Sequence, residues 1–177
     1  LALAYRNLGA KVTVVERLAI MGTVDPELAR IVENCMRCLG VDILKNTKVL
    51  SVCNTSSGIG IELERNGRGQ RLEATHLLIA TGRQANIEGL GLEAAGVDIG
   101  NDGIVVDRRL RTSNKKIFAI GDVTGGMQFT HVASYEAGIV IRNALFRLPA
   151  KVDYSSMPWV TYTDPELAQV GLTEEKA

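Results

Sequence analysis

The sequence predicts an α/β protein built on a parallel sheet, and three observations carry that reading. Residues 116–146, KIFAIGDVTGGMQFTHVASYEAGIVIRNALF, read as a short apolar strand over 117–120 that stops at Gly121-Asp122, then a Gly-containing loop, then a long amphipathic helix from about Thr130. Residues 76–81 form a second apolar run of the buried-strand type, ending at Gly82-Arg83. Near the start, a helical stretch over residues 1–8 stops at Gly9 and gives way to the β-branched run KVTVVE over 11–16. The composition agrees: 177 residues with 46% hydrophobic content can bury a core, and 18 glycines against 3 phenylalanines and 1 tryptophan suit a fold with many turns.

Each element has a local cause. The first helix opens on Leu1 with no cap and no initiator Met, so the chain reads as part of a longer protein. Asp25-Pro26-Glu27 starts the next helix, with Asp as cap, Pro at the first helical position and an acid in the first turn. That helix is expected to run to about Leu39 and stop at Gly40, with Leu28, Ile31, Val32, Cys35, Cys38 and Leu39 on its buried face. Strands over 41–44 and 47–52 follow, and turns at Ser56-Ser57-Gly58 and Asn66-Gly67 bracket 59–64; with 71–74 these make a small meander. Residues 86–100 read as a loop with a short helix, and 103–107 and 110–112 lead into the 116–146 stretch. After Pro149 the pattern turns β-rich over 152–163 and again over 164–172, before a new helix at Thr173-Glu174-Glu175.

The chemistry concentrates at the strand ends. In parallel α/β sheets ligands bind at the carboxyl ends of strands, and there Asp122 can accept hydrogen bonds from ligand hydroxyls. Gly125, Gly126 and the helix start at Thr130-His131 offer backbone N–H groups and a positive dipole end to an electron-rich group. Gly82 allows close backbone approach, and Arg83 can neutralise a phosphate or form a surface ion pair. Glu16 ends its strand as the acidic residue of a βαβ dinucleotide unit does, or as an ordinary solvated residue. Cys35-Met36-Arg37-Cys38 has the spacing of half a zinc site or a redox pair. The other candidate ligands, Cys53, His76 and His131, supply no second pair, so core packing is the expectation and a metal-binding protein the alternative. Twenty basic residues balance twenty acidic ones without a basic cluster, which argues against nucleic acid or an anionic membrane as partner. No apolar run approaches the ~18 residues of a membrane span. Three cysteines without framework spacing fit a reducing, cytoplasmic setting.

The pair ATGR…AIGD in this order, with VTVVE before it and MPWVTYTDPELAQVGLTEEKA after it, resembles the flavin-dependent pyridine nucleotide-disulfide oxidoreductases, in particular mercuric reductases and dihydrolipoyl dehydrogenases. The resemblance runs over essentially the whole chain. It implies part of a Rossmann-like fold for two dinucleotides: 1–84 from an NAD(P)-binding domain, 85–149 returning to an FAD-binding domain, and 150–177 opening an α+β dimerisation domain. It implies that Gly121, Asp122 and Thr130 hold FAD, with Asp122 on the ribityl chain and the helix start facing the isoalloxazine carbonyl. Glu16, Val49, Gly82 and Arg83 fall to the nicotinamide nucleotide, Val49 against the adenine. Glu16 favours NAD over NADP by repelling a 2′-phosphate, although Arg17 could pair with one. The family passes electrons from NAD(P)H to FAD to a cysteine disulfide and on to a thiol, disulfide or metal-ion substrate, as a homodimer. Its CxxxxC disulfide lies upstream of Leu1 and its His-Glu pair downstream, so no catalytic residue is expected here, and Cys35 and Cys38 do not fill that role. Thr163-Asp164-Pro165-Glu166 departs from the His-Pro-Glu of dihydrolipoyl dehydrogenases toward mercuric reductases. A nucleotide-binding module without a redox centre is the alternative reading.

Overall fold

The computed structural model describes residues 1–174. The chain divides into two compact units, Leu1–Ala80 with Pro158–Ala177, and Thr81–Met157. The helix expected from Thr173 runs into residues 175–177, which lie outside the described residues.

The first unit opens with helix α1 (Ala2–Asn7), and Gly9 takes φ +93° just past its end. Strand β1 (Thr13–Val15) pairs in parallel with β2 (Asp42–Leu44), in register Thr13 to Asp42. Between them runs α2 (Pro26–Cys38), where the Asp25 side chain accepts the Glu27 amide and Pro26 occupies the first turn, as the sequence requires. The Arg6 guanidinium donates to the carbonyls of Leu39 at 2.7 Å and Ala10 at 3.2 Å, tying the C-terminal ends of both helices. The core of this unit is Leu3, Val24, Val32, Met36, Val41, Ile43 and Leu167, with Trp159 packed against it.

The inward face of α2 differs from the expected one. Ala29, Val32 and Met36 are buried, Cys35 is half-buried, and Leu28, Ile31, Cys38 and Leu39 are exposed. The apolar stripe is wider than the surface that covers it: only the residues at spacings of three and four around Val32 reach the core, and the flanking apolar positions face solvent. Core packing therefore fails as an account of Cys38. Cys35 instead donates its thiol to the Asp164 carbonyl at 3.0 Å.

Strands β3 (Thr47–Thr55), β4 (Gly58–Arg65) and β5 (Arg68–Ala74) form an antiparallel sheet in that order, longer than the sequence runs suggested. Asn66 and Gly67, at φ +53° and +72°, make the tight β4–β5 turn, a geometry that Asn-Gly adopts more readily than any other pair. Ile61 and Leu63 on central β4 are buried. The unit is completed by β6 (Pro158–Thr161) antiparallel to β7 (Leu167–Val170), a shorter β region than residues 152–172 promised.

The run at 76–81 is not the buried strand its composition predicts. It has no ladder partner among the described residues, and Leu77, Leu78 and Ile79 are exposed, Ile79 at 74%. Apolar character gives a segment reason to join a sheet, but a strand exists only where a neighbour pairs with it.

The second unit contains one long helix, α3 (Thr130–Ala144). The expected strand at 117–120 is reduced to a single bridge, Arg111 to Phe118, in which the Thr112 amide donates to Ile117 and the Ala119 amide to Leu110. The short helix expected within 86–100 is one turn: the Ala95 amide donates to Gly91 and the Val97 amide to Leu92, and Gly96 at φ +65° ends it. Two small cores form, Val97, Ile104 and Ala119 in one, Leu110, Ile139 and Val152 in the other.

Candidate functional site

The Gly121-Asp122 turn is built from both sides. Gly121 takes φ +70° and is buried; a Cβ there would come within 3.1 Å of the Ala133 side chain, so the turn packs directly on α3. Its amide donates to Glu136 Oε2 at 2.6 Å, and its carbonyl accepts the Thr124 hydroxyl at 2.9 Å. Residues Gly121–Thr124 form one 3-10 turn, closed by Gly125 in the left-handed region. A Cβ on Gly125 would strike the Asp102 carbonyl, and one on Gly103 the Val123 carbonyl, so two backbones cross here that tolerate only glycine. The Asp122 side chain is left exposed, with no partner among the described residues.

The start of α3 complements this carboxylate. Phe129 occupies the cap position without a side-chain hydrogen bond to the first turn, and its carbonyl accepts the Val132 and Ala133 amides; the positive end of the helix dipole lies at this end of α3. The rings of Phe129 and His131 stack at 5.4 Å. Arg83, from the other predicted motif, donates to the Gln128 carbonyl at 3.1 Å, two residues before Thr130. Gly82, at φ +134°, has no atom within 4 Å of where a Cβ would stand. Gly82-Arg83 and the residues from Gly121 to Thr130 thus belong to one unit, and Arg83 is tied to the loop that carries Thr130.

Glu16 and Val49 both lie in the other unit. The Glu16 amide donates to Leu44, and its carbonyl accepts the Thr47 amide at 3.0 Å, which joins the end of β1 to the start of β3. Val49 lies two residues on, at a β-bulge, with its side chain 47% exposed. Glu16 Oε1 accepts the Leu18 amide at 2.9 Å, and the other carboxylate oxygen has no side-chain or backbone partner among the described residues.

Sequence reasoning missed Glu136, which is only 3% exposed. Its Oε1 accepts the Tyr154 hydroxyl at 2.5 Å while Oε2 holds Gly121. Burial, reinforced by the hydrogen bond to Glu136, pushes the Tyr154 hydroxyl well above the ordinary tyrosine range. A signal was present: Val132, Glu136 and Ile139 share one helical face, and an acid on such a face requires a buried donor. Among the described residues no group of three or more His, Cys, Asp or Glu is arranged to hold a metal ion.

The donor set suits two dinucleotides. An unpaired carboxylate beside a side-chain-free turn and an uncapped helix start fit the hydroxyls and electron-rich ring of FAD, and Glu16 with exposed Val49 fits the ribose and adenine of NAD(P). The family described as Pyridine nucleotide-disulphide oxidoreductase matches residues 1–137. A mercuric reductase of Staphylococcus aureus is 41% identical over 98% of this chain and 32% of its own length. A dihydrolipoyl dehydrogenase of Geobacillus stearothermophilus is 36% identical over 100% of this chain and 38% of its own. Among solved structures, a Cu(II) complex of the HOCl-induced flavoprotein disulfide reductase RclA from Escherichia coli superposes with a TM-score of 0.87 at 32% identity, covering 98% of this chain and 40% of that one. The chain spans about a third of the length of the curated relatives it matches. Enzymes of this kind use FAD and NAD(P)H, and this chain belongs to the pyridine nucleotide-disulphide oxidoreductase family.

Proposed function

We propose that this chain is the part of an FAD- and NAD(P)H-dependent disulfide oxidoreductase that completes the nicotinamide nucleotide site and supplies one wall of the flavin site. The observation that carries the reading is the exposed, unpaired Asp122 on the buried Gly121 turn beside the uncapped start of α3. The flavin, when bound, supplies the electron-transfer chemistry; the chain supplies binding, orientation and electrostatics. Asp122 accepts hydrogen bonds from the ribityl hydroxyls. The amides at Thr130 and the helix dipole stabilise negative charge on the ring's carbonyl side. Glu16 accepts the adenosine ribose hydroxyls, Val49 packs on the adenine, and Gly82 admits the nucleotide backbone beside Arg83. NAD is the favoured coenzyme, because a carboxylate at Glu16 repels a 2′-phosphate.

No residue of this chain takes a catalytic role. The substrate is a small thiol, disulfide or metal ion, in line with the mercuric reductases and dihydrolipoyl dehydrogenases among its relatives. The protein acts as a cytoplasmic homodimer, with residues 150–177 opening the dimerisation domain, 1–84 in the NAD(P) domain and 85–149 in the FAD domain. Among the described residues no helix is long and apolar enough to cross a membrane.

The test is anaerobic addition of NADH or NADPH to the purified gene product that carries this chain. Bleaching of the visible flavin band, faster with NADH, is expected. A product that contains no flavin would contradict the proposal and leave a nucleotide-binding module without a redox centre.

A further inference from the structure

Glu136 has no part in the binding roles above, yet it is the most completely engaged buried acid described in this unit. A carboxylate is kept from water at reasonable cost only when its oxygens are paired, and hydrogen bonds to a charged acceptor are about twice as strong as neutral ones. One oxygen is committed to the Gly121 amide, the other to the Tyr154 hydroxyl. Thr124 holds the Gly121 carbonyl from the opposite side, and Ala133 packs against its α-carbon. Every polar backbone group of Gly121 is therefore fixed, while the side chain that follows it is free. An unfixed glycine at positive φ would let that side chain wander, because glycine loses more conformational freedom on ordering than any other residue.

We propose that Glu136 is a positioning residue for the flavin site: it locks the Gly121 peptide so that Asp122 points to the ligand's hydroxyls, and Tyr154 orients the Glu136 carboxylate for that task. The inference rests on the reading that Gly121, Asp122 and Thr130 hold FAD. It also gives residues beyond 150 a hand in flavin retention, through the Tyr154 hydroxyl.

The test measures FAD rebinding to the flavin-stripped gene product by quenching of flavin fluorescence, alongside the NMR shift of the Gly121 amide proton, for Glu136→Leu, Glu136→Gln and Tyr154→Phe. Loss of the charged acceptor in Glu136→Leu weakens FAD binding by about tenfold or more. Glu136→Gln restores affinity to within about threefold, because its amide oxygen still accepts from Gly121 and its NH₂ donates to the Tyr154 oxygen. The Gly121 amide proton moves upfield as the acceptor becomes neutral, a change that a role in general stability would not produce. Tyr154→Phe lies between the two. Wild-type affinity in folded Glu136→Leu overturns the proposal. Where that variant does not fold, wild-type affinity together with an unmoved Gly121 resonance in both Glu136→Gln and Tyr154→Phe overturns it instead. A wild-type product that takes up no FAD removes the flavin reading and this inference with it, and is told apart because the parent protein itself fails.

Discussion

The sheet β3–β4–β5 and the segment at 76–80 are neighbours in sequence and opposites in how they are held. The sheet finds all its partners within 28 residues of chain, through two tight turns, and buries Leu63 to 1% exposure. The segment that follows is as apolar, yet it pairs with nothing described and leaves Ile79 in solvent. Antiparallel hairpins carry their partner with them, whereas a strand of the parallel type depends on neighbours that come from elsewhere in the sequence. Residues 117–120 teach the same lesson, reduced to a bridge although their pattern is that of a strand.

The largest effect that can break this contrast is a paired truncation. Leu63→Ala removes a fully buried side chain from the central strand and is expected to cost about 2–5 kcal/mol in urea denaturation of the 177-residue chain, while Ile79→Ala stays within about 0.5 kcal/mol. In a longer gene product whose further strands cover the segment, Ile79→Ala rises toward the Leu63→Ala value; equal costs already in the short chain would erase the distinction.

Glycine substitutions sharpen it at a lower level. Gly58 opens β4 with φ +148°, and a Cβ there would lie 2.5 Å from the Ala74 carbonyl, whereas Gly82 at φ +134° faces open space. Both alanine variants carry backbone strain of about 1–3 kcal/mol, and only Gly58→Ala adds a backbone clash. Its thermal midpoint is therefore expected to fall further than that of Gly82→Ala.

The smallest effect tests the surface electrostatics beside α2. The Lys45 ammonium at 2.9 Å, helped by Arg37 at 3.0 Å, holds the Glu33 carboxyl below its usual range. A depressed folded value means stability that is present above the unfolded value of about 4.3 and lost as pH falls through the folded one. Glu33→Gln is expected to lower stability by about 0.2–1 kcal/mol at neutral pH, with the gap to the parent closing below about pH 4. A gap that persists in acid would mean that packing, not charge, holds Glu33.

Much of this was legible in the sequence because its causes are local. Asp25-Pro26-Glu27 states a helix start within three residues, Asn66-Gly67 states a turn within two, and Gly121-Asp122 followed by the helix from Thr130 states a tight turn leading into α3. What the sequence hid depends on distant residues. Which face of α2 is buried, and hence the exposure of Cys38, is set by the surface that covers the helix. The roles of Glu136 and Tyr154 emerge only when α3 folds back on the Gly121 turn, 15 residues before Glu136 in the chain. Helical spacing puts Glu136 on the face of Val132 and Ile139, but it does not supply the donors that meet its two oxygens.

The most direct test of the account is the flavin content of the purified gene product with and without Asp122→Ala, read from the visible flavin absorbance after gel filtration. The account predicts a yellow parent that keeps its flavin and a folded Asp122→Ala variant that loses most of it. A folded variant that retains flavin as the parent does would contradict the placing of the cofactor on the Gly121 turn.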